Sequence, residues 1–77
     1  MTRQSLKSKD LLVHIRSEAK HIWYINGIFE GYDGLGVVRT LDKEKGIIEI
    51  LSTADQSKDL YDLLNYLSRE IGVVILD

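Results

Sequence analysis

The sequence predicts an α+β fold in which two helices cover one face of a four-stranded antiparallel sheet. Apolar residues recur at helical spacing in two stretches, after Ser17 and after Thr53, and four short strand-like stretches surround them. Glycines follow both helical stretches, and a four-residue turn that ends at Gly46 joins the two middle strands as a hairpin. The predicted order is therefore β-α-β-β-α-β.

Composition indicates one small domain. A chain of 77 residues buries only about 60% of its unfolded surface, so a partner subunit would help to stabilise it. Cysteine is absent, which excludes disulfides, thiolate metal sites and cysteine nucleophiles. Apolar runs such as residues 11–13 and 73–76 are too short for a membrane span or a signal peptide. We therefore expect a cytoplasmic protein that does not associate with membranes.

Charge is unevenly distributed along the chain. The net charge is −2, yet the first twenty residues are basic and the last quarter is acidic. Residues 1–10 contain one internal apolar residue, Leu6, which predicts a flexible basic N-terminal arm ahead of a single domain at residues 11–77. The opposite charges are either solvated faces or an ordered contact between the arm and the second helix.

The first strand is predicted at residues 11–16, where Val13 and Ile15 point to one face. Ser17 is a suitable N-cap for the helix that follows. The core-facing stripe of this helix is Ile22, Ile25, Phe29 and Tyr32, with Ile28 and His21 beside it. Trp23, Gly27 and Glu30 lie on nearly the opposite side, so the only tryptophan is expected outside the core.

The register of the hairpin between residues 37 and 52 follows from its turn. If Asp42 pairs with Ile47, Leu41 lies beside Ile48 and Thr40 beside Glu49. Arg39 then points inward with Val37 and Leu41, while Val38 points outward. Either the guanidinium reaches the edge along apolar surface, or the true register differs by one residue.

The last third of the chain predicts a second helix and a final strand. Thr53 and Gln56 fit a capping box, and Gly72 is the expected stop. The core stripe is Leu60, Leu63, Leu64, Leu67 and Ile71. Residues 73–76 form a wholly apolar strand. With a right-handed crossover between the first two strands, the closure is a ferredoxin-like sandwich with strand order 4-1-3-2 and the second and fourth strands at the edges.

The chain resembles a small bacterial domain family with no assigned activity. The resemblance is carried by Tyr32, Asp33, Gly34 and Leu35 after the first helix, by the VVRTLD strand at residues 37–42, and by Gly46. It implies the fold and no functional residue. The strand order is also similar to that of ACT-type regulatory domains, which bind small ligands at subunit interfaces. Those domains usually have a glycine between the first strand and helix, whereas residues 16–19 here have none.

Four polar residues form the candidate ligand site. The first and third strands should be neighbours, which would bring together His14, Arg16, Thr40 and Glu49 on the sheet face away from the helices. Such a group could bind an anion or transfer a proton; the alternative is ordinary cross-strand polar pairing. The glycines of GYDGLG close a helix, whereas phosphate-binding glycines open one, so they are interpreted as structural. Two histidines without a third ligand predict no metal or other cofactor.

Other functional classes have less support. Base-stacking aromatics are missing from the central strands and the net charge is negative, so nucleic acid is not an expected partner. No nucleophile, base and orienting group can be placed together, so an enzyme is not expected.

Association has the best support, because the open sheet face and the last strand are more apolar than a monomer should expose. The candidate interface residues are Leu12, Trp23, Gly27, Ile47, Leu51, Val73 and Ile75. The resulting hypothesis is a non-enzymatic self-associating or regulatory module that forms a homodimer. The alternative is an ACT-like sensor that binds an amino acid or an organic anion at a subunit interface.

Overall fold

A computed structural model describes residues 9–32 and 34–76. Four strands and two helices follow one another in the order β-α-β-β-α-β, and one turn of 3₁₀ helix precedes each α-helix. The strands are β1 (Asp10–Arg16), β2 (Val37–Asp42), β3 (Ile47–Thr53) and β4 (Val74–Ile75), the helices are α1 (Ile22–Gly31) and α2 (Ser57–Ile71), and the 3₁₀ turns are Ala19–His21 and Ala54–Gln56. Of the predicted arm, residues 1–8 lie outside the described residues, and Asp10 belongs to β1.

The sheet is antiparallel throughout and has the order β2-β3-β1-β4. Read from the other edge, this is the predicted arrangement 4-1-3-2. Its centre is the pairing of β1 with β3, which runs without interruption from Asp10 opposite Thr53 to Arg16 opposite Ile47. Two helices and a four-stranded antiparallel sheet confirm the α+β class.

The core lies between the helices and one face of the sheet. Its buried members are Val13, Ile15, Ile22, Ile25, Phe29, Leu35, Ile48, Ile50, Leu60, Leu63, Leu64, Leu67 and Val73. Most of both predicted helical stripes is therefore confirmed. Tyr32 is the exception, since it is 53% exposed. The reason is that α1 ends at Gly31 and Tyr32 has an extended backbone, which takes its side chain off the helical face.

The predicted side-chain caps do not form. Thr53 does occupy the N-cap position of the turn before α2, whereas Glu18 rather than Ser17 occupies that position before α1. Neither Ser17 nor Thr53 makes a side-chain cap bond, because each helix opens with a 3₁₀ turn. In such a turn the backbone satisfies its own first amides, as the His21 N–H does by donating to the Glu18 carbonyl at 2.9 Å. The Ser17 hydroxyl instead donates to the Glu18 carbonyl at 3.1 Å. Capping side chains are therefore not needed at these positions.

The hairpin contains a β-bulge at Leu41 that the alternation of residue types does not reveal. Asp42 pairs with Ile47 as predicted, but Thr40 pairs with Ile48 and Arg39 with Glu49. Leu41 is the extra residue between them. Arg39 therefore points away from the helices and Val38 packs towards them, so the predicted inward Arg39 and outward Val38 are wrong. The alternative of a one-residue shift is correct for the part of β2 before the bulge.

The turn of the hairpin is fixed against the start of the crossover to α1. Within the turn, the Asp42 carboxylate accepts the Lys45 N–H at 2.9 Å. The buried Ser17 donates its N–H to the Gly46 carbonyl at 2.9 Å. Gly46 has a φ of +72°, and a Cβ at this position would overlap the Ser17 carbonyl oxygen. Gly46 is thus required both by its conformation and by this close approach.

The last strand is shorter than predicted. β4 comprises only Val74 and Ile75, and the Leu76 N–H then donates to the His14 carbonyl at 2.8 Å. Val73 belongs to the core. The stop at Gly72 is confirmed, because this residue ends α2 in the left-handed conformation with a φ of +75°.

Gly46→Ala should destabilise the protein by about 3 kcal/mol or more, since it combines a left-handed backbone with overlap against Ser17. Gly72→Ala is the matched control, because it has nearly the same φ and open space around its Cβ. The control should cost only about 1 kcal/mol. Urea unfolding of both variants measures the difference. Equal losses would contradict the close approach of Gly46 to Ser17.

Candidate functional site

The sheet face that the helices leave uncovered, here called the open face, is organised in rows across the strands. Residues paired across an antiparallel sheet point to the same side, so the register places them in lines. The central line is polar and consists of Arg39, Glu49 and His14. Leu76 lies next to His14 on the other side of β1, because the Leu76 N–H donates to the His14 carbonyl.

His14 and Glu49 interact directly in the centre of this row. The His14 Nε2–H donates to the Glu49 Oε2 at 3.1 Å, because an ionised carboxylate can only accept. The two side chains are 28% and 22% exposed, so the pair is partly shielded. Arg39 lies opposite Glu49 on the other side but makes no ion pair with it in the part of the chain that the structure describes. Its guanidinium is therefore available to another group.

Apolar side chains flank the polar row. On one side Val37, Leu51 and Leu12 form a continuous line across β2, β3 and β1. Leu12 and Leu51 are about one third exposed, and Val37 at the edge is 68% exposed. On the other side, Ile47 lies beside Arg16, and Arg16 lies beside Val74. The open face thus offers one apolar band, the polar row beside it, and a mixed row on the far side of the polar row.

The structure brings together three of the four predicted ligand-site residues. His14, Arg16 and Glu49 share the open face, whereas Thr40 pairs with Ile48 and belongs to the helix side. Arg39 takes the place that had been assigned to Thr40, because the bulge at Leu41 shifts the register. The signal in the sequence was the charge of Arg39 at a position predicted to point inward.

The predicted interface residues fall into separate regions. Leu12, Ile47 and Leu51 share the open face, whereas Val73 is buried and Ile75 packs against the core. The exposed side chains at this end are Val74 and Leu76.

Trp23 is 75% exposed on α1 and makes an edge contact with the ring of Tyr24 at a centroid distance of 6.4 Å. Gly27, one turn further along the same helix, is also exposed. Because α1 packs on the covered side of the sheet, these two residues do not belong to the open face.

The remaining candidates have structural surroundings. Gly31, the first residue of GYDGLG, ends α1, and the Ser52 hydroxyl donates to the carbonyl of the buried Leu35 at 2.6 Å. The His21 Nε2 lies 3.4 Å from the Glu18 Oε1.

Within residues 9–32 and 34–76, no three His, Cys, Asp or Glu side chains are grouped so that they could hold a metal ion. Neither described helix has the length and apolar content needed to cross a membrane.

Residues 15–71 match a family described as a domain of unknown function, DUF4911. The chain belongs to this family. The match covers both helices and the hairpin, and it ends before β4. Searches of curated proteins and of solved structures find no match. Because the description of DUF4911 gives no activity, the open face has to be interpreted from its own geometry.

In this DUF4911 chain, a double-mutant cycle of His14→Ala and Glu49→Ala should give a coupling energy of about 0.5 kcal/mol, as expected for a partly exposed cross-strand pair. The same cycle with Arg39→Ala and Glu49→Ala is the control and should give a coupling close to zero. Urea unfolding of the single and double variants provides both values. A His14–Glu49 coupling above about 2 kcal/mol would instead indicate a strongly desolvated pair.

Proposed function

We propose that the chain is a ferredoxin-like, non-enzymatic interaction module that acts in the cytoplasm and forms a homodimer through its open face. The observation that supports this most is the band formed by Val37, Leu51 and Leu12, whose apolar side chains are adjacent and exposed. A contiguous apolar surface of this kind is typical of an interaction site. The charged row beside it adds selectivity for the partner.

A second copy of the chain is the partner that this surface fits. A two-fold axis that runs parallel to the strands, midway between β1 and β3, exchanges these strands and keeps every row at its own level. Leu12 then lies over the partner's Leu51, and His14 lies over the partner's Glu49. Leucine meets leucine and histidine meets carboxylate in two of the rows, and Arg16 lies over the partner's Ile47 in the third. The face is therefore complementary to itself, as an isologous interface requires.

The other face-to-face arrangement is unfavourable. An axis that runs across the strands through the polar row would place Glu49 over the partner's Glu49. It would also exchange the level of Leu12 with that of Arg16. Two like charges would then face each other in the interface, whereas the first arrangement places each carboxylate against a histidine. Charge thus selects the axis that is parallel to the strands.

The size of the face predicts a weak dimer. Strands of seven, six, seven and two residues, spaced by about 4.8 Å and rising by about 3.3 Å per residue, cover roughly 350 Å² per subunit. The two subunits together fall below the 1,200 Å² or more that stable complexes usually bury, which corresponds to a reversible association. We therefore expect dissociation in the micromolar range, and experiments should extend to high micromolar concentration.

Leu12→Lys and Leu51→Glu should each weaken the dimer by at least tenfold, about 1.4 kcal/mol, because each places two unpaired charges in the interface. An equimolar mixture of the two variants should associate again. In the mixed dimer, the new lysine faces the new carboxylate and the two remaining leucines face each other. Sedimentation equilibrium of the separate and mixed variants measures both effects.

Tyr24→Lys is the matched control, because Tyr24 on α1 is 39% exposed, close to the exposure of Leu12 and Leu51. This variant should dimerise like the wild type. A wild-type chain that stays monomeric at high micromolar concentration would disprove the association. Dimerisation that survives both single substitutions would disprove the assignment to the open face.

A small-molecule sensor is the second candidate, and the exposed position of Arg39 favours it. Arg39 and Arg16 both point to the open face, on either side of the His14–Glu49 pair. Guanidinium groups bind carboxylates through two parallel hydrogen bonds. In an ACT-like arrangement, an organic anion or amino acid would bind at the dimer interface through these arginines.

A thermal-shift screen of organic anions and amino acids tests this candidate. A ligand at 100 times its Kd should stabilise the fold by about 2.7 kcal/mol. Arg39→Ala should abolish the response, and Arg69→Ala, an exposed position on α2, should retain it. No stabilising compound, or an equal response in both variants, would rule out the sensor.

A further inference from the structure

A groove lies between α1 and α2, on the side of the sheet opposite the open face. It has a volume of about 630 Å³, within the range of about 300 to 1,000 Å³ that is typical of small-molecule sites. The lining residues are Ile28, Tyr32, Leu35, Gln56, Asp59, Asp62, Leu63 and Tyr66. The two helices and the segment after α1 thus form a concavity of the size that a small ligand needs.

The groove has an apolar floor and an aromatic rim. Leu35 and Leu63 are buried, and Ile28 is half-buried against the core. Tyr32 and Tyr66 are 53% and 45% exposed, so part of each ring is accessible to a bound molecule. Aromatic rings gain energy from edge and stacked contacts with one another. The floor and rim together therefore suit a ligand with an aromatic body.

Two carboxylates on α2 give the groove a negative charge. Asp59, Asp62 and Tyr66 lie on one face of the helix, because they are three and four positions apart. The Asp62 Oδ2 accepts a hydrogen bond from the Lys58 Nζ at 3.0 Å, and this bond raises the pKa of Lys58. Asp59 is exposed, and among the described residues it forms no ion pair. None of the described lining residues is a lysine or an arginine, so the charge of Asp59 is available to a cation.

The acidic part of the groove is short. Gln56 and Tyr66 are ten residues apart in sequence, which corresponds to about 15 Å along a helix. Arg69, three residues beyond Tyr66, is exposed on the same face of α2. A long basic peptide that followed the groove would meet this positive charge, whereas a small cation would not. The groove therefore fits a short ligand better than a basic segment of another protein.

We propose that this groove is a binding site for a small organic cation in which a short linker joins an ammonium group to an aromatic ring. The ring lies on Leu63 and against Tyr66, and the ammonium group lies beside Asp59. Ligand and groove then match in shape, in polarity and in charge. The groove and the open face lie on opposite sides of the sheet, so this proposal does not rest on the proposed dimer.

Phenethylammonium is a suitable probe, and the amide NMR spectrum of the isotopically labelled full chain reports where it binds. Titration should shift the signals of Ile28, Leu63 and Tyr66 and leave those of the β2–β3 turn unchanged. Phenethyl alcohol has the same shape without the charge and should bind about threefold more weakly, the effect of one exposed ion pair. Phenylpropionate, which is negatively charged, should not shift the groove signals.

The role of the carboxylate is tested with two substitutions on the same helix. Asp59→Asn should raise the Kd of phenethylammonium about threefold, because it removes the partner of the ammonium group. Glu70→Gln removes the same charge from an exposed position outside the groove lining and should leave the Kd unchanged. Equal effects of the two variants would overturn the proposal, since only the net charge would then matter.

The role of the aromatic rim is tested in the same titration. Tyr66→Leu keeps an apolar side chain but loses the contact between rings, and it should raise the Kd about threefold. Tyr24→Leu, at a similarly exposed tyrosine outside the lining, is the control and should have no effect. The amide signals of the sheet, unchanged in each variant, establish that the fold is retained.

The location of the shifts and the choice of ligand decide the remaining alternatives. Shifts spread evenly over the surface, or none in the groove, would overturn the proposal. Equal affinity for phenethylammonium and phenethyl alcohol would also overturn it, because the site would then be merely apolar. A lysine-rich amphipathic peptide that shifts the groove signals where phenethylammonium does not would assign the groove to a protein partner instead.

Discussion

The continuous pairing of β1 with β3 is the constraint on which the other parts of the structure depend. The two strands are more than thirty residues apart in sequence, so their pairing closes a long loop that contains α1 and β2. It puts Val13 and Ile15 beside Ile50 and Ile48 on the covered side. The same pairing places His14 beside Glu49 on the open face. The core and the candidate site are thus two sides of one register.

The hairpin turn and the crossover to α1 hold that register at one end. The Ser17 N–H donates to the Gly46 carbonyl at the end of the sheet where Arg16 faces Ile47. A displacement of β3 by one residue would break this bond and turn Ile48 and Ile50 outwards. The close contact of Gly46 with Ser17 therefore maintains the register on which both the apolar core and the row of charged residues depend.

The sequence is sufficient to predict the elements, their order and most of the core, because apolar periodicity determines which face of an element is buried. It is insufficient where the backbone adopts a local conformation other than the one that the residue types favour. The 3₁₀ turns replace the caps expected at Ser17 and Thr53, and the bulge at Leu41 absorbs one residue of β2. The bulge exchanges Thr40 for Arg39 in the candidate site. Only the charge of Arg39 in an otherwise apolar position indicated the exchange.

The bulge at Leu41 also bears on what kind of assembly the chain can form. A regular edge strand is a template for further strands, and pairing at both edges has no natural end, so it leads to fibres. Here one edge strand is interrupted by the bulge and carries Arg39 and Asp42, and the other is only two residues long. Neither edge supports extended strand addition. Growth of the sheet is thereby limited, and contact through a face, which closes after two subunits, becomes the accessible route to association.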